Sequence, residues 1–344
     1  MITDPTAKEH FLEEAQSIIK YEIVCEAMLP WECTDKSHNI LDRYAGSGFN
    51  YLSITVAADE SVGDAAGDAL RSIAALRSLL AERPEGYMLA SGVDDIDAVG
   101  ADGRLAISFN FQGTLPFGKS ISLVPSFRDL GVRQVLLAYN QGNFVCDGCS
   151  ERTDSGLTRF GISLVKALDS AGIVVDGTHC GRKSTFEAME HVTGPFIFSH
   201  SNCFSVYPHY RNITDDQIKA CAETGGFVGI NGLNLFLGDE AGSSEAMFRH
   251  IDHVVNLVGA DFAGIGFDYV QFEAAIDAYY ERSPEAWPDN PFNGRAMKGI
   301  RSAQPEHIVK LVAQMLAHGY DRSSIAKILG GNYLRVAREV WRRG

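Results

Sequence analysis

Eight short runs rich in β-branched and aromatic residues recur along the chain with helix-patterned segments between them, and this alternation restricts the fold more than any other feature. The runs lie at 22–26, 48–56, 105–111, 133–139, 172–176, 195–200, 226–231 and 262–267. Strands alternating with helices imply a parallel sheet joined by crossover helices. Eight in series favour a closed α/β fold, the (β/α)8 TIM barrel, over an open doubly wound sheet. A length of 344 residues suits one such domain spanning 1–344, because α/β barrels reach this size without dividing. Segment 1–20 reads as an amphipathic N-terminal helix and 304–344 as extra C-terminal helices, with Gly330-Gly331-Asn332 as a break between two of them. Thr214-Asp215-Asp216-Gln217 has the spacing of a capping box. Three prolines and Trp287 within 283–295 mark a long loop after the eighth strand, placed to act as a lid.

Composition narrows the partners. A net charge of −14, from 44 acidic against 30 basic residues, repels a phosphate backbone and excludes nucleic acid as the expected partner. No apolar stretch approaches the eighteen or so residues of a membrane helix, so no membrane partner is expected. The N-terminus lacks the basic start and apolar core of an export signal, which makes the cytoplasm the default location. Seven cysteines, an odd number in a large chain, read as reduced thiols, and the lone Cys146-Asp-Gly-Cys149 reads as a turn.

A (β/α)8 barrel gathers its active site at the C-terminal ends of the strands. There the sequence places Asp176-Gly-Thr-His179, Ser199-His200-Ser201 and Phe267-Asp268. Any one of these histidines, taken alone, reads as a polar residue satisfied in the barrel mouth. Two imidazoles and a carboxylate at neighbouring strand ends are ligand chemistry for zinc. Gln112 closes the third strand and Glu26 the first.

Several of these segments also carry a family likeness. Pro195-Phe-Ile-Phe-Ser-His-Ser-Asn202, Arg211-Asn-Ile-Thr-Asp215, Gly225-Gly-Phe-Val-Gly229, Gly264-Ile-Gly-Phe-Asp268 and Gly330-Gly-Asn-Tyr-Leu-Arg-Val336 resemble, in order and spacing, the membrane (renal-type) dipeptidase family, peptidase family M19 of the amidohydrolase-like superfamily. The resemblance covers most of the chain from about residue 104 onward. It implies a hydrolase of dipeptides with two zinc ions bridged by a carboxylate. Carried over by position, His179 and His200 correspond to the histidine ligands of one zinc, Arg211 to the arginine holding the substrate carboxylate, and Asp268 to the acid that handles the proton.

Other positions depart from the pattern. Glu26 and Met28 fall where a His-x-Asp metal motif is expected, Gln112 where the bridging glutamate is expected, and Tyr139 where a substrate-orienting histidine is expected. Thioether and amide replace imidazole and carboxylate poorly, so these departures predict at most one zinc, on His179 and His200 completed by Gln112 or Asp268, or an empty site. Glu26 then becomes a candidate ligand or proton carrier, and Tyr139 a hydrogen-bond donor to the substrate carbonyl. Asn140, Asn143 and Asn231 are candidate pocket residues, and Cys25, Cys180 and Cys203 are expected beside the site. The expected substrate is a dipeptide or small N-substituted amino acid bearing a carboxylate. A non-peptidase enzyme and a catalytically dead binding protein on the same barrel are the alternatives. A symmetric homodimer is the default assembly.

Overall fold

Strands of a parallel sheet are covered on both faces, and here both faces of most strands are buried. In the computed structural model the described residues are 5–31, 37–59 and 63–343. The strands are β1 (Cys25–Leu29), β2 (Tyr51–Ala58), β3 (Tyr87–Leu89), β4 (Leu105–Gln112), β5 (Val132–Leu136), β6 (Val174–Asp176), β7 (Phe196–Ile197), β8 (Val228–Ile230) and β9 (Ala263–Ile265). All pair in parallel. β1-β2-β4-β5-β6-β7 form one continuous path, and β8 pairs β9. A parallel bridge between Phe198 and Val228 carries the path from β7 to β8. From β9 back to β1 the link is a side chain: Phe267 N donates to Glu26 Oε1 at 2.8 Å.

The fold is therefore the expected α/β barrel, and each of the eight runs read from the sequence overlaps a strand. The short β3 was not anticipated; it pairs only with the first residues of β4, and β5 takes over the same edge further along. β1 lies three residues later than expected, which matters because Glu26 is then near the start of a strand and not at its end.

Local chemistry agrees with the topology. Thr214 and Gln217 form the capping box that starts the helix Asp215–Glu223. Gly330 and Gly331 fall inside a π-helical turn, Lys327–Gly331, that runs directly into the helix Asn332–Val340, so the expected break is a distortion of a continuing helix. A Cβ on Gly330 would lie 2.4 Å from the carbonyl oxygen of Ile23, so the glycine lets this helix press on the chain entering β1. The N-terminal helix begins at Pro5, and residues 1–4 of its expected span fall outside the described residues.

The main core packs the outer faces of the strands against the helices. The barrel interior is unusually polar. Thr55 Oγ1 donates to Asn110 Oδ1 (2.9 Å), Asn110 Nδ2 to Ser53 Oγ (3.0 Å), and Gln134 Nε2 to Asp176 Oδ2 (2.9 Å). Every residue of this network except Thr55 is fully buried, so its bonds are obligatory.

Candidate functional site

β6 and β7 are adjacent, and the chain turns sharply as it leaves each of them. A Cβ on Gly229 or Gly266 would lie 2.0 Å from the Ser199 carbonyl oxygen, so glycines on the neighbouring strands allow the backbone before His200 to sit between them. His179 and His200 thereby meet, their Nε2 atoms 3.1 Å apart. Two nitrogens on one tetrahedral zinc stand about 3.3 Å apart, so the pair has the separation of two ligands on one ion.

The far nitrogens are held as well. His179 Nδ1 lies 2.6 Å from Asn140 Oδ1, and because Asn140 Nδ2 donates to the Ala286 carbonyl (3.0 Å), the oxygen is the atom that faces the ring. His179 must then donate through Nδ1, which leaves Nε2 a lone pair. His200 Nδ1 meets the Ser199 hydroxyl at 2.8 Å, a partner that can donate or accept. Both imidazoles are held well below the usual histidine range by burial and by the nearby Arg211 guanidinium. They are neutral, which is the ligand form.

Among the described non-glycine residues, those with φ in the left-handed region are Asn140 (59°), His179 (69°) and Asp268 (54°). All three follow strands of the barrel and all three belong to this site. Such backbone costs about 1–2 kcal/mol in an ordinary residue and persists where surrounding structure over-determines it. The sequence signal was available only weakly, in that Asn, Asp and His tolerate this region best.

Arg211 lies in the loop before the helix Asp215–Glu223 and is 3% exposed. It donates to the His200 carbonyl (3.1 Å) and more distantly to Ser201 Oγ (3.4 Å), and lies over the Phe236 ring. No acid among the described residues forms an ion pair with it, and its Nε has no partner. A buried guanidinium in that state is prepared for an anion. Asp268 is placed by Asn231, whose Nδ2 donates to Oδ2 at 2.9 Å. Burial raises this carboxyl to about 6, against the lowering influence of Arg211 and Asn231.

The sequence-derived residues that line a cavity divide between two. His179 and Arg211 line one of ≈ 250 Å³, together with Cys149, Cys180 and Tyr210. Gln112 and Tyr139 line another of ≈ 200 Å³. Tyr139 stacks on His179 with ring centroids 4.2 Å apart, so it forms the partition between them. The loop after β9 closes over the partition: Trp287 is buried, 5.9 Å from His179 and 5.7 Å from Tyr139 between ring centroids. That is the position expected of a lid.

Several expectations need correction. Gln112 donates to Thr55 Oγ1 (3.2 Å) and lines the second cavity with Tyr139, away from the cavity that His179 shares with Arg211. Asp268 is not clustered with the histidines in this structure: among the described residues no three His, Cys, Asp or Glu side chains are grouped to hold a metal. Glu26 turns toward β9 to bond Phe267 N and Met28 N, and burial raises its carboxyl well above the usual range, with Asp268 adding to the effect. Met28 Sδ contacts the Thr55 hydroxyl. The positions corresponding to a first zinc are thus tied into the protein's own hydrogen bonds. Asn140 and Asn231 orient His179 and Asp268. Asn143 bonds Asp59 Oδ2 and the Leu137 carbonyl, which ties a loop. Cys25 belongs to a separate core cluster with Tyr51, Tyr333 and Trp341, because it opens β1 at the opposite end of the barrel from the site. Cys203 bonds His250, and Cys180 alone of the three lines the site cavity.

A parallel barrel with paired neutral imidazoles and a perturbed acid beyond its strand ends defines a hydrolase of the amidohydrolase kind. A crystallised amidohydrolase of Pseudomonas aeruginosa matches it over 95% of this chain and 99% of its own, with a TM-score of 0.85 and 25% identity. Within that class the assignment is narrower: residues 38–280 match the membrane dipeptidase family, peptidase family M19, and the chain belongs to it. An uncharacterised protein from the pqqA 5′ region of Klebsiella pneumoniae is 28% identical over 284 residues, covering 79% of this chain and 96% of that protein. Dipeptidase tcpJ of Claviceps purpurea is 26% identical over 277 residues, 79% of this chain but 60% of that longer protein. A metallopeptidase of Rhodobacter sphaeroides crystallised with a phosphinate mimic of the dipeptide L-Ala-D-Ala shares the fold, with a TM-score of 0.77 and 20% identity over 93% of this chain and 100% of its own. No helix among the described residues is long and apolar enough to cross a membrane.

Proposed function

We propose that the chain hydrolyses the amide bond of a small carboxylate-bearing substrate, a dipeptide or N-substituted amino acid, with one zinc and not two. The observation that carries this reading is the 3.1 Å approach of two neutral imidazole nitrogens whose opposite edges are held by Asn140 and Ser199. This geometry fits two ligands of one ion. The residues at the other metal position do not fit, because Glu26, Met28 and Gln112 are engaged elsewhere.

His179 and His200 would hold the zinc, which when bound polarises a carbonyl and activates water at neutral pH. Arg211 binds the substrate carboxylate and fixes the scissile amide near the histidines. Asp268, at about 6, is largely ionised at pH 7. Its Oδ2 is held by Asn231, so Oδ1 is the oxygen that takes the proton from attacking water and passes it to the departing amine. Trp287 and Tyr139 cover His179 and exclude bulk water from it.

The test is elemental analysis of the purified chain combined with a panel of dipeptides and N-acyl amino acids. About one zinc per chain is expected, with turnover lost in His179→Ala and His200→Ala. Two tightly held zinc ions, or unchanged turnover in both variants, would overturn the reading.

A further inference from the structure

His209, Tyr210 and Arg211 are consecutive and line the ≈ 250 Å³ cavity that also contains His179. Each has a buried polar atom with no hydrogen-bond partner: His209 Nε2, the Tyr210 hydroxyl and Arg211 Nε. A buried polar atom without a partner is costly, and here three of them fall on consecutive residues lining one cavity.

The protons on these atoms can be assigned. His209 Nδ1 accepts from the Arg211 backbone N–H at 3.1 Å. Burial, with Arg211 and Arg295 nearby, lowers this ring to about 3, so it is neutral and its single proton resides on Nε2. Burial pushes the Tyr210 phenol up, so it keeps its O–H. Arg211 Nε always carries hydrogen. The wall therefore presents three donors and one full positive charge. Asn212 Oδ1, also unpartnered, adds a single acceptor beside them and suits a substrate N–H. The acids of this cavity, Glu151 and Asp154, are exposed, and Asp154 is engaged by Lys183 N.

We propose that His209 and Tyr210 join Arg211 in a three-donor subsite for the substrate carboxylate, and that they set the preference for a free acid over its ester. This rests on the reading of Arg211 as the carboxylate anchor. A carboxylate has lone pairs enough for all three donors, and a neutral ester oxygen would leave the guanidinium uncompensated. Tyr210 and His209 are specificity-determining residues here; neither needs to touch the reacting carbonyl.

The test is calorimetric titration of N-acetylalanine, in both enantiomers, and of its methyl ester into the full chain, with inorganic phosphate as a comparison. The wild type binds one acid enantiomer more tightly than its ester. Tyr210→Phe, which keeps the packing, weakens binding of the acid about tenfold or more and leaves the ester within twofold; His209→Leu, which removes the other neutral donor, behaves alike. If both variants bind the acid as the wild type does while Arg211→Met abolishes binding, the three-donor subsite is wrong and the Arg211 anchor stands. If Arg211→Met also changes nothing, or the wild type does not distinguish acid from ester, both fail. Tighter binding of phosphate than of either acid overturns the assignment to carboxylate.

Discussion

Replacing Asn140 separates the orientation of a ligand from the stability of the fold. Its side chain accepts from His179 Nδ1 (2.6 Å) and donates to the Ala286 carbonyl (3.0 Å), and its φ is 59°. Asn140→Ala leaves the His179 N–H and the Ala286 carbonyl unpaired in a buried setting, at about 1–3 kcal/mol each. It also puts alanine in the left-handed region, at about 1 kcal/mol more. The expected destabilisation is about 3–7 kcal/mol. Asn140→Gly loses the same hydrogen bonds without the backbone strain, so its loss is about 1 kcal/mol smaller. Both variants free the His179 ring to rotate and change tautomer, and zinc affinity should fall about 10- to 100-fold in each. Asn140→Asp restores an acceptor for Nδ1 and should keep zinc affinity at or above wild type while still losing the Ala286 contact. Chemical denaturation measures the stability differences, and competition with a chromophoric chelator measures zinc affinity. Equal zinc affinity in wild type, Gly and Ala variants would refute the claim that Asn140 sets the tautomer of a ligand.

Two further perturbations probe the buried acids. The folded-state value of Asp268, about 6, exceeds its ordinary 3.8, so the folded chain holds this proton more tightly than the unfolded chain. That contribution is full below about pH 4 and lost as pH rises through 6. Asp268→Asn should therefore be more stable than wild type by roughly 2–3 kcal/mol at pH 8, with the gap closing toward pH 4, while hydrolysis is lost; a gap independent of pH would contradict the assignment. Glu26→Gln keeps an acceptor for Phe267 N and replaces a carboxyl whose proton burial favours, so it should cost under about 1 kcal/mol, whereas Glu26→Ala should cost about 2–4. A loss above about 3 kcal/mol in Glu26→Gln by thermal or urea unfolding would mean that the native side chain is ionised.

Much of the site was legible because its residues sit at strand ends, and strand ends can be read from hydrophobic runs. His179, His200 and Asp268 were found in this way, and Trp287 through the proline-rich loop around it. The errors arose where a side chain has two available directions. Glu26 was placed at the end of β1, yet a shift of three residues puts it near the start, where it bonds across to β9. Gln112 was placed at the metal by position, but hydrogen bonding draws it to Thr55. His209 and Tyr210 carry no pattern in the sequence that marks them; only the absence of partners for their polar atoms makes them visible.

The alternation of strand and helix, the acidic surface and the polar residues that follow each strand were determined by the sequence alone, because period and composition act locally. Which of those residues share a cavity was decided only by tertiary structure. The left-handed turns at Asn140, His179 and Asp268 and the glycines packed against Ser199 aim side chains to within ångströms, and that aim depends on contacts between segments far apart in the chain.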